Sequence, residues 1–238
     1  MFPGTATAFA HREMTMKRLI ALAVLLAATV HPVAADAELA VGISVGGYVG
    51  DRLYTAKSVQ PRVWTNPTGS NSGAGDELLV DVESWAQFGL TGFTTLRDRW
   101  GLKFDLGFTD VDVDGKVRDP SGASETVPWE QLFIFDIIAQ ATWRLGNSED
   151  SYPYLALGPA LTVASGEGNS LDQTMPGLAW GAGWRISAAE RSWFEIGVRG
   201  IWQWPDWADE ESRLAADEFN GETMIHSLSG SVAVGYVY

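Results

Sequence analysis

The chain has 238 residues, enough for one domain of ordinary size, and carries 30 acidic against 16 basic side chains for a net charge of −14. It has no cysteine, which excludes a disulfide framework and thiolate chemistry. The acidic balance argues against a nucleic-acid partner, because phosphate contacts need Lys and Arg.

The first element in chain order is a targeting segment. Lys17 and Arg18 precede an apolar stretch from Leu19 to Val30, and Ala35 and Ala37 close it in an A-x-A arrangement. That pattern predicts a secretory signal peptide over residues 1–35, too short to span a bilayer as a helix. Cleavage after Ala35 or Ala37 fits equally well. Met16 fits as the initiator, which makes residues 1–15 an over-extended start. The mature chain, 36–238, then carries 13 bases and 29 acids, a net charge of −16.

The mature chain has no run of 18 consecutive apolar residues and so no transmembrane helix. Its recurring unit is a strand with large apolar residues at every second position, since successive side chains point to opposite faces. The first strand sets Leu39, Val41, Ile43, Val45 and Val49 against Ala40, Gly42, Ser44, Gly46 and Tyr48. The second, about 78–96, sets Val80, Val82, Ala86, Phe88 and Leu90 against Asp81, Glu83, Gln87, Gly89 and Thr91. The third, "WGLKFDLGF", sets Trp100, Leu102, Phe104, Leu106 and Phe108 against Gly101, Lys103, Asp105 and Gly107. The fourth places Phe133, Phe135, Ile137 and Trp143 opposite Asp136, Gln140, Thr142 and Arg144. The fifth, sixth, seventh and eighth follow at "YPYLALGPALTV", "GLAWGAGWRIS", "WFEIGVRGIWQW" and "SLSGSVAVGYVY".

The connections alternate in length. After the second, fourth and sixth strands they are tight, and after the odd-numbered strands they are long and rich in Gly, Asp, Asn, Ser and Pro. Three of the four long ones have on the order of 20 residues or more. Short turns at one end and long loops at the other are the signature of an outer-membrane barrel. The expected fold is an all-β, eight-stranded antiparallel up-and-down transmembrane barrel. A soluble barrel or sandwich is the competing reading, with the large residues inside. Trp100, Trp143, Trp202, Trp204 and Tyr238 at strand ends favour the membrane, as interfacial girdles.

The closing strand "VAVGYVY" alternates Val232, Val234, Tyr236 and Tyr238, and "PYLALG" and "GLAWGAGWRIS" have the same style. In these segments the mature chain resembles the small eight-stranded outer-membrane barrels of the OmpX and opacity-protein type. The resemblance implies that the terminal strand is read by the barrel-assembly machinery. It departs from that family in ending on Tyr238, where Phe is more common.

The chemistry is sparse. His226 is the mature chain's one histidine, and Ser227 and Ser229 have the opposite parity, so no base and nucleophile meet. No catalytic residue and no cofactor are expected. The inward charges are Asp81, Glu83, Asp105, Asp136 and Glu195 against Lys103, Arg144, Arg185 and Arg199. Near balance points to a pairing network, since a selective pore carries one sign. Arg185 should face Glu195. "DVDVDG" brings Asp110, Asp112 and Asp114 into the spacing that opens a calcium loop, but Ser121 stands where the closing acid belongs. The parity of the strand offers a second reading, in which the three aspartates continue its lipid-facing row above the membrane. The expected function is a non-enzymatic barrel with a structural or surface-interaction role through its long loops. A narrow channel for ions or small solutes is the alternative. The expected partners are outer-membrane lipid and lipopolysaccharide, and the barrel is expected to be a monomer.

Overall fold

A computed structural model describes residues 39–57, 77–83, 85–97, 99–118, 122, 124–148, 150–166, 172–208 and 218–238. The signal segment and the long connection containing 66–75 lie outside these residues. The strands are β1 (Leu39–Val49), β2 (Arg52–Lys57), β3 (Glu77–Val82), β4 (Trp85–Arg97), β5 (Trp100–Arg118), β6 (Ser124–Arg144), β7 (Ser151–Gly166), β8 (Gln173–Ala189), β9 (Ser192–Gln203), β10 (Glu218–Gly221) and β11 (Ile225–Val237). All pairings are antiparallel. The order β5-β4-β1-β11-β9-β8-β7-β6 closes through β6 onto β5, an eight-stranded barrel. Strands β10, β2 and β3 continue the wall beyond one end, with β3 taking over from β4 as the neighbour of β5.

The outward face of the barrel is a belt of large apolar residues. Ile43 is 63% exposed, Phe88 60%, Leu157 54% and Ile196 54%. A water-soluble barrel does not leave such a continuous apolar surface open, so the belt faces lipid and the barrel spans a membrane. Trp100 stacks on Trp143 at 6.1 Å at one edge of the belt. At the opposite edge Trp180, Trp202 and His226 form a second aromatic group. Amphipathic rings collect at both bilayer interfaces in this way.

Along β5 the two faces exchange character. Outward residues run from Trp100 to Phe108 and then become Asp110, Asp112, Asp114, Lys116 and Arg118. Inward residues begin with Gly101, Lys103 and Asp105 and become Val111 and Val113, each 1% exposed. The exchange marks the edge of the bilayer. Below it the outer solvent is lipid; above it the outer solvent is water, and the apolar side turns in.

This corrects two expectations. Much of what looked like loop is wall: β5 and β6 leave only 119–123 between them, and β7 and β8 only 167–172. Crossing a bilayer takes about 9–11 residues per strand, whereas β5 has 19 and β6 has 21. The second expected strand is also two strands, not one. Gln87 pairs with Thr109 and Val82 with Val113, so five steps along this stretch are set against four along β5. One extra residue is a bulge, and it reverses which face each side chain takes. Val80 is therefore fully buried, while Asp81 and Glu83 are outside.

Three layers fill the inside. Nearest Leu39 and Tyr238, Phe93, Trp193, Ala40 and Ala233 pack together. The middle layer is polar. Above it Tyr48, Leu53, Tyr54, Val80, Val111, Val113, Leu132, Ile134, Met175 and Ile225 make an apolar core, against which Trp207 packs.

Single-cysteine variants can read the orientation, because the chain has no cysteine of its own. Asp112→Cys on the projecting wall should react with a membrane-impermeant maleimide on intact cells. Asn147→Cys, in the turn between β6 and β7, should react only after the outer membrane is permeabilised. The reverse pattern would overturn the assignment of the long end as extracellular.

Candidate functional site

The polar layer is built by inward positions of six strands. Period-2 alternation brings Gln87 in from β4, Lys103 and Asp105 from β5, Asp136 from β6, Tyr154 from β7, Arg185 from β8, and Glu195 and Arg199 from β9. Pairing of β8 with β9 sets Arg185 directly opposite Glu195. Arg185 Nη2 donates to Glu195 Oε2 at 2.8 Å and Nε to the same oxygen at 3.3 Å. The other carboxylate oxygen accepts from Lys103 Nζ and from the Tyr154 hydroxyl, each at 2.7 Å. Lys103 also donates to the Tyr154 hydroxyl oxygen at 3.0 Å. Arg185 lies against two rings, its guanidinium carbon 3.8 Å from the Phe93 centroid and 4.5 Å from the Trp193 centroid.

A second group lies one layer higher. Arg199 Nη2 donates to Gln87 Oε1 at 2.9 Å, and Gln87 Nε2 donates to Asp136 Oδ2 at 3.3 Å. Thr162 donates to Asp136 Oδ1 at 2.6 Å, and Gln203 donates to Thr162 at 2.7 Å. Three bases, Lys103, Arg185 and Arg199, thus stand against three acids, Asp105, Asp136 and Glu195, all in the lumen. The space left between them, beside Asp105 and Gln140, is about 20 Å³.

Three charges expected in this network lie elsewhere. Asp81, turned out by the bulge, accepts from Arg52 Nε at 2.9 Å on the projecting wall and lies 4.0 Å from Lys116. Glu83 is exposed beside Asp112 and Asp114. Arg144 sits at the turn end of β6, its guanidinium 5.2 Å from the Tyr152 ring centroid. Tyr154, Gln87, Thr162, Gln203 and Trp193 belong to the site although charge alone does not point to them. Their parity does: Trp193 is two residues from Glu195 on the same face, and Tyr154 shares the face of Ala156. Glycine makes the room. A Cβ at Gly183 would lie 2.6 Å from the Tyr154 hydroxyl oxygen, and one at Gly235 would lie 2.5 Å from the Trp193 indole.

The remaining sequence candidates can now be placed. Asp110, Asp112 and Asp114 lie on one extended strand that pairs with β6 along this whole stretch, with Gly115 inside it. A calcium loop needs a turn there so that successive side chains converge. Of the two readings of the motif the loop is corrected and the strand holds: the three aspartates form an outward row above the lipid belt. His226 points outward, its ring 6.2 Å from that of Trp180 and 6.3 Å from that of Trp202. Ser227 and Ser229 are buried on the other face.

Two solved structures share this architecture. The outer membrane protein OprG from Pseudomonas aeruginosa matches with a TM-score of 0.52 at 13% identity, covering 84% of this chain and 95% of that one. Neisserial surface protein A matches with a TM-score of 0.50 at 12% identity, covering 85% of this chain and 99% of that one. No family model matches the sequence. No curated protein matches it either. The likeness is one of fold, that of the small outer-membrane barrels.

Replacing Glu195 by Gln strips the charge that balances both Lys103 and Arg185, and should cost about 3–5 kcal/mol in urea unfolding of the detergent-solubilised barrel. Pairing Glu195→Gln with Arg185→Met should cost clearly less than the sum of the two single losses. Strict additivity would mean that the contact contributes nothing. Gly183→Ala drives a methyl into the Tyr154 hydroxyl and should cost about 1–3 kcal/mol by the same measurement.

Outside the membrane, Glu83 carries a raised pKa. Its hydrogen bond with Asp114 is the main cause, followed by the negative charges of Asp114 and Asp112. The raised value means that ionising Glu83 costs more in the folded wall than in the unfolded chain. The stabilising contribution is therefore fully present below the ordinary glutamate pKa and is lost as the pH rises from there through the raised value. A carbon-detected NMR titration should place the Glu83 midpoint above that of an ordinary glutamate. Asp114→Asn should return it toward the ordinary range.

Proposed function

We propose that this chain, a barrel with the small outer-membrane fold, is a non-enzymatic outer-membrane scaffold that carries an extracellular sheet clear of the bilayer. Its role on this reading is structural or one of surface contact, through the projecting wall and the loops above it. The observation that carries the reading is the pairing of a filled lumen with strands twice the length that a membrane needs. Strand β5 continues about ten residues past Phe108, on the order of 30 Å of wall. The lumen offers no path of one sign of charge; its three acids are matched by three bases. The apolar core closes it from above.

One feature supports the non-enzymatic part of the proposal. His226 and the two serines beside it lie on opposite faces of β11, so base and nucleophile are held apart by the wall. The partners on this reading are outer-leaflet lipid and lipopolysaccharide around the belt, and the assembly machinery that reads the strand ending at Tyr238. The barrel works as a monomer, without a cofactor.

Planar bilayers test the proposal against a narrow channel. The purified mature barrel should give no discrete conductance steps. Regular steps from the wild-type barrel, lost when Arg199 is replaced, would establish the channel instead.

A further inference from the structure

The two halves of the lumen network meet at Asp105, and they meet loosely. Lys103 Nζ lies 3.5 Å from Asp105 Oδ2 and Arg199 Nη1 lies 3.6 Å from it. Both exceed the reach of an ordinary hydrogen bond. The tightest links on either side of it are 2.7 Å for Lys103 to Glu195 and 2.6 Å for Thr162 to Asp136.

Four enclosed polar atoms gather at this joint. Asp105 Oδ2, Gln140 Nε2, Arg199 Nε and Thr91 Oγ1 make no hydrogen bond to any described protein group. Their residues are deeply placed: Gln140 is 2% exposed, Thr91 2% and Asp105 5%. The four residues line the same space, of about 20 Å³. An enclosed carboxylate oxygen and two enclosed N–H donors without partners would each cost on the order of 1–3 kcal/mol. The barrel would not carry that cost at its centre if something could relieve it.

We infer that this space is a specific site for one ordered water molecule, which joins the lower group around Glu195 to the upper group around Asp136. The size fits: a single water needs a space of about 10–15 Å³ or more when measured as probe-sized volume. The chemistry fits as well. A water donates to Asp105 Oδ2 and accepts from Gln140 Nε2 or Arg199 Nε, so it serves both signs of partner at once. A cation is disfavoured, because Lys103 and Arg199 flank the site. A halide is disfavoured by Asp105 and Glu195. A neutral molecule that both donates and accepts suits a wall whose charges already balance.

The test is a crystal structure of the wild-type mature barrel at a resolution that shows solvent, with further crystals soaked in rubidium and in bromide. The expected result is one solvent peak within hydrogen-bond distance of Asp105 Oδ2 and of Gln140 Nε2 or Arg199 Nε, with no anomalous signal from either soak. A rubidium or bromide peak in the space would overturn the assignment. So would featureless density with Asp105 bonded directly to Arg199.

Discussion

Glu195 is the point through which the inside of this barrel is held. Its two oxygens accept from Arg185, Lys103 and Tyr154, side chains of three other strands. The need for such a hub follows from the wall. An eight-stranded cylinder has room inside for side chains but little more, and lipid outside gives inward charges no route to bulk water. Each charge must then find its counterpart within the lumen or pay the desolvation cost alone. The small inward residues follow from the same constraint. Tyr154 reaches Glu195 because Gly183 leaves its ring a place to lie, and Trp193 closes the end because Gly235 does the same.

The projecting wall obeys the same alternation with its meaning reversed. Within the bilayer the apolar row faces out because the outer solvent is hydrocarbon. Past Phe108 the outer solvent is water, and the row becomes Asp110, Asp112 and Asp114, while Val111 and Val113 turn to the apolar core. One strand thus records the position of the membrane in the order of its residues. The charges expelled to this wall pair loosely in water. Lys57 with Glu218 and Arg118 with Glu77, at 3.2 and 3.6 Å, contribute little each. Their effect is on solubility and on what can approach the surface.

A filled and neutral lumen has a consequence for what the molecule can present. On the proposed reading, contact is made on surfaces that water reaches, above the belt of Trp180, Trp202 and His226. The stiffness of the wall helps there. A sheet continuous with a membrane-anchored barrel loses little conformational freedom when something docks on it, unlike a mobile loop.

Period-2 alternation, read together with the short and long connections and the aromatic strand ends, determined the fold class, the lipid-facing row of each transmembrane strand, and the inward position of Lys103, Asp105, Asp136, Arg185, Glu195 and Arg199. It could do so because side-chain direction in a regular strand depends only on count. The facing of Arg185 and Glu195 was legible for a similar reason, since a tight hairpin fixes its own register. Tertiary structure decided the rest. A single extra residue opposite Asp110–Asp112 sent Asp81 and Glu83 outside and Val80 inside, and a bulge leaves no mark in the alternation itself. The length of the wall was also hidden, because the polar residues that make a loop soluble are equally suited to the outer face of a strand in water. Which charges meet was hidden most deeply. Lys103 and Glu195 are 92 residues apart, and Arg199 and Gln87 are 112 apart. Only closure of the cylinder brings their strands around one narrow lumen.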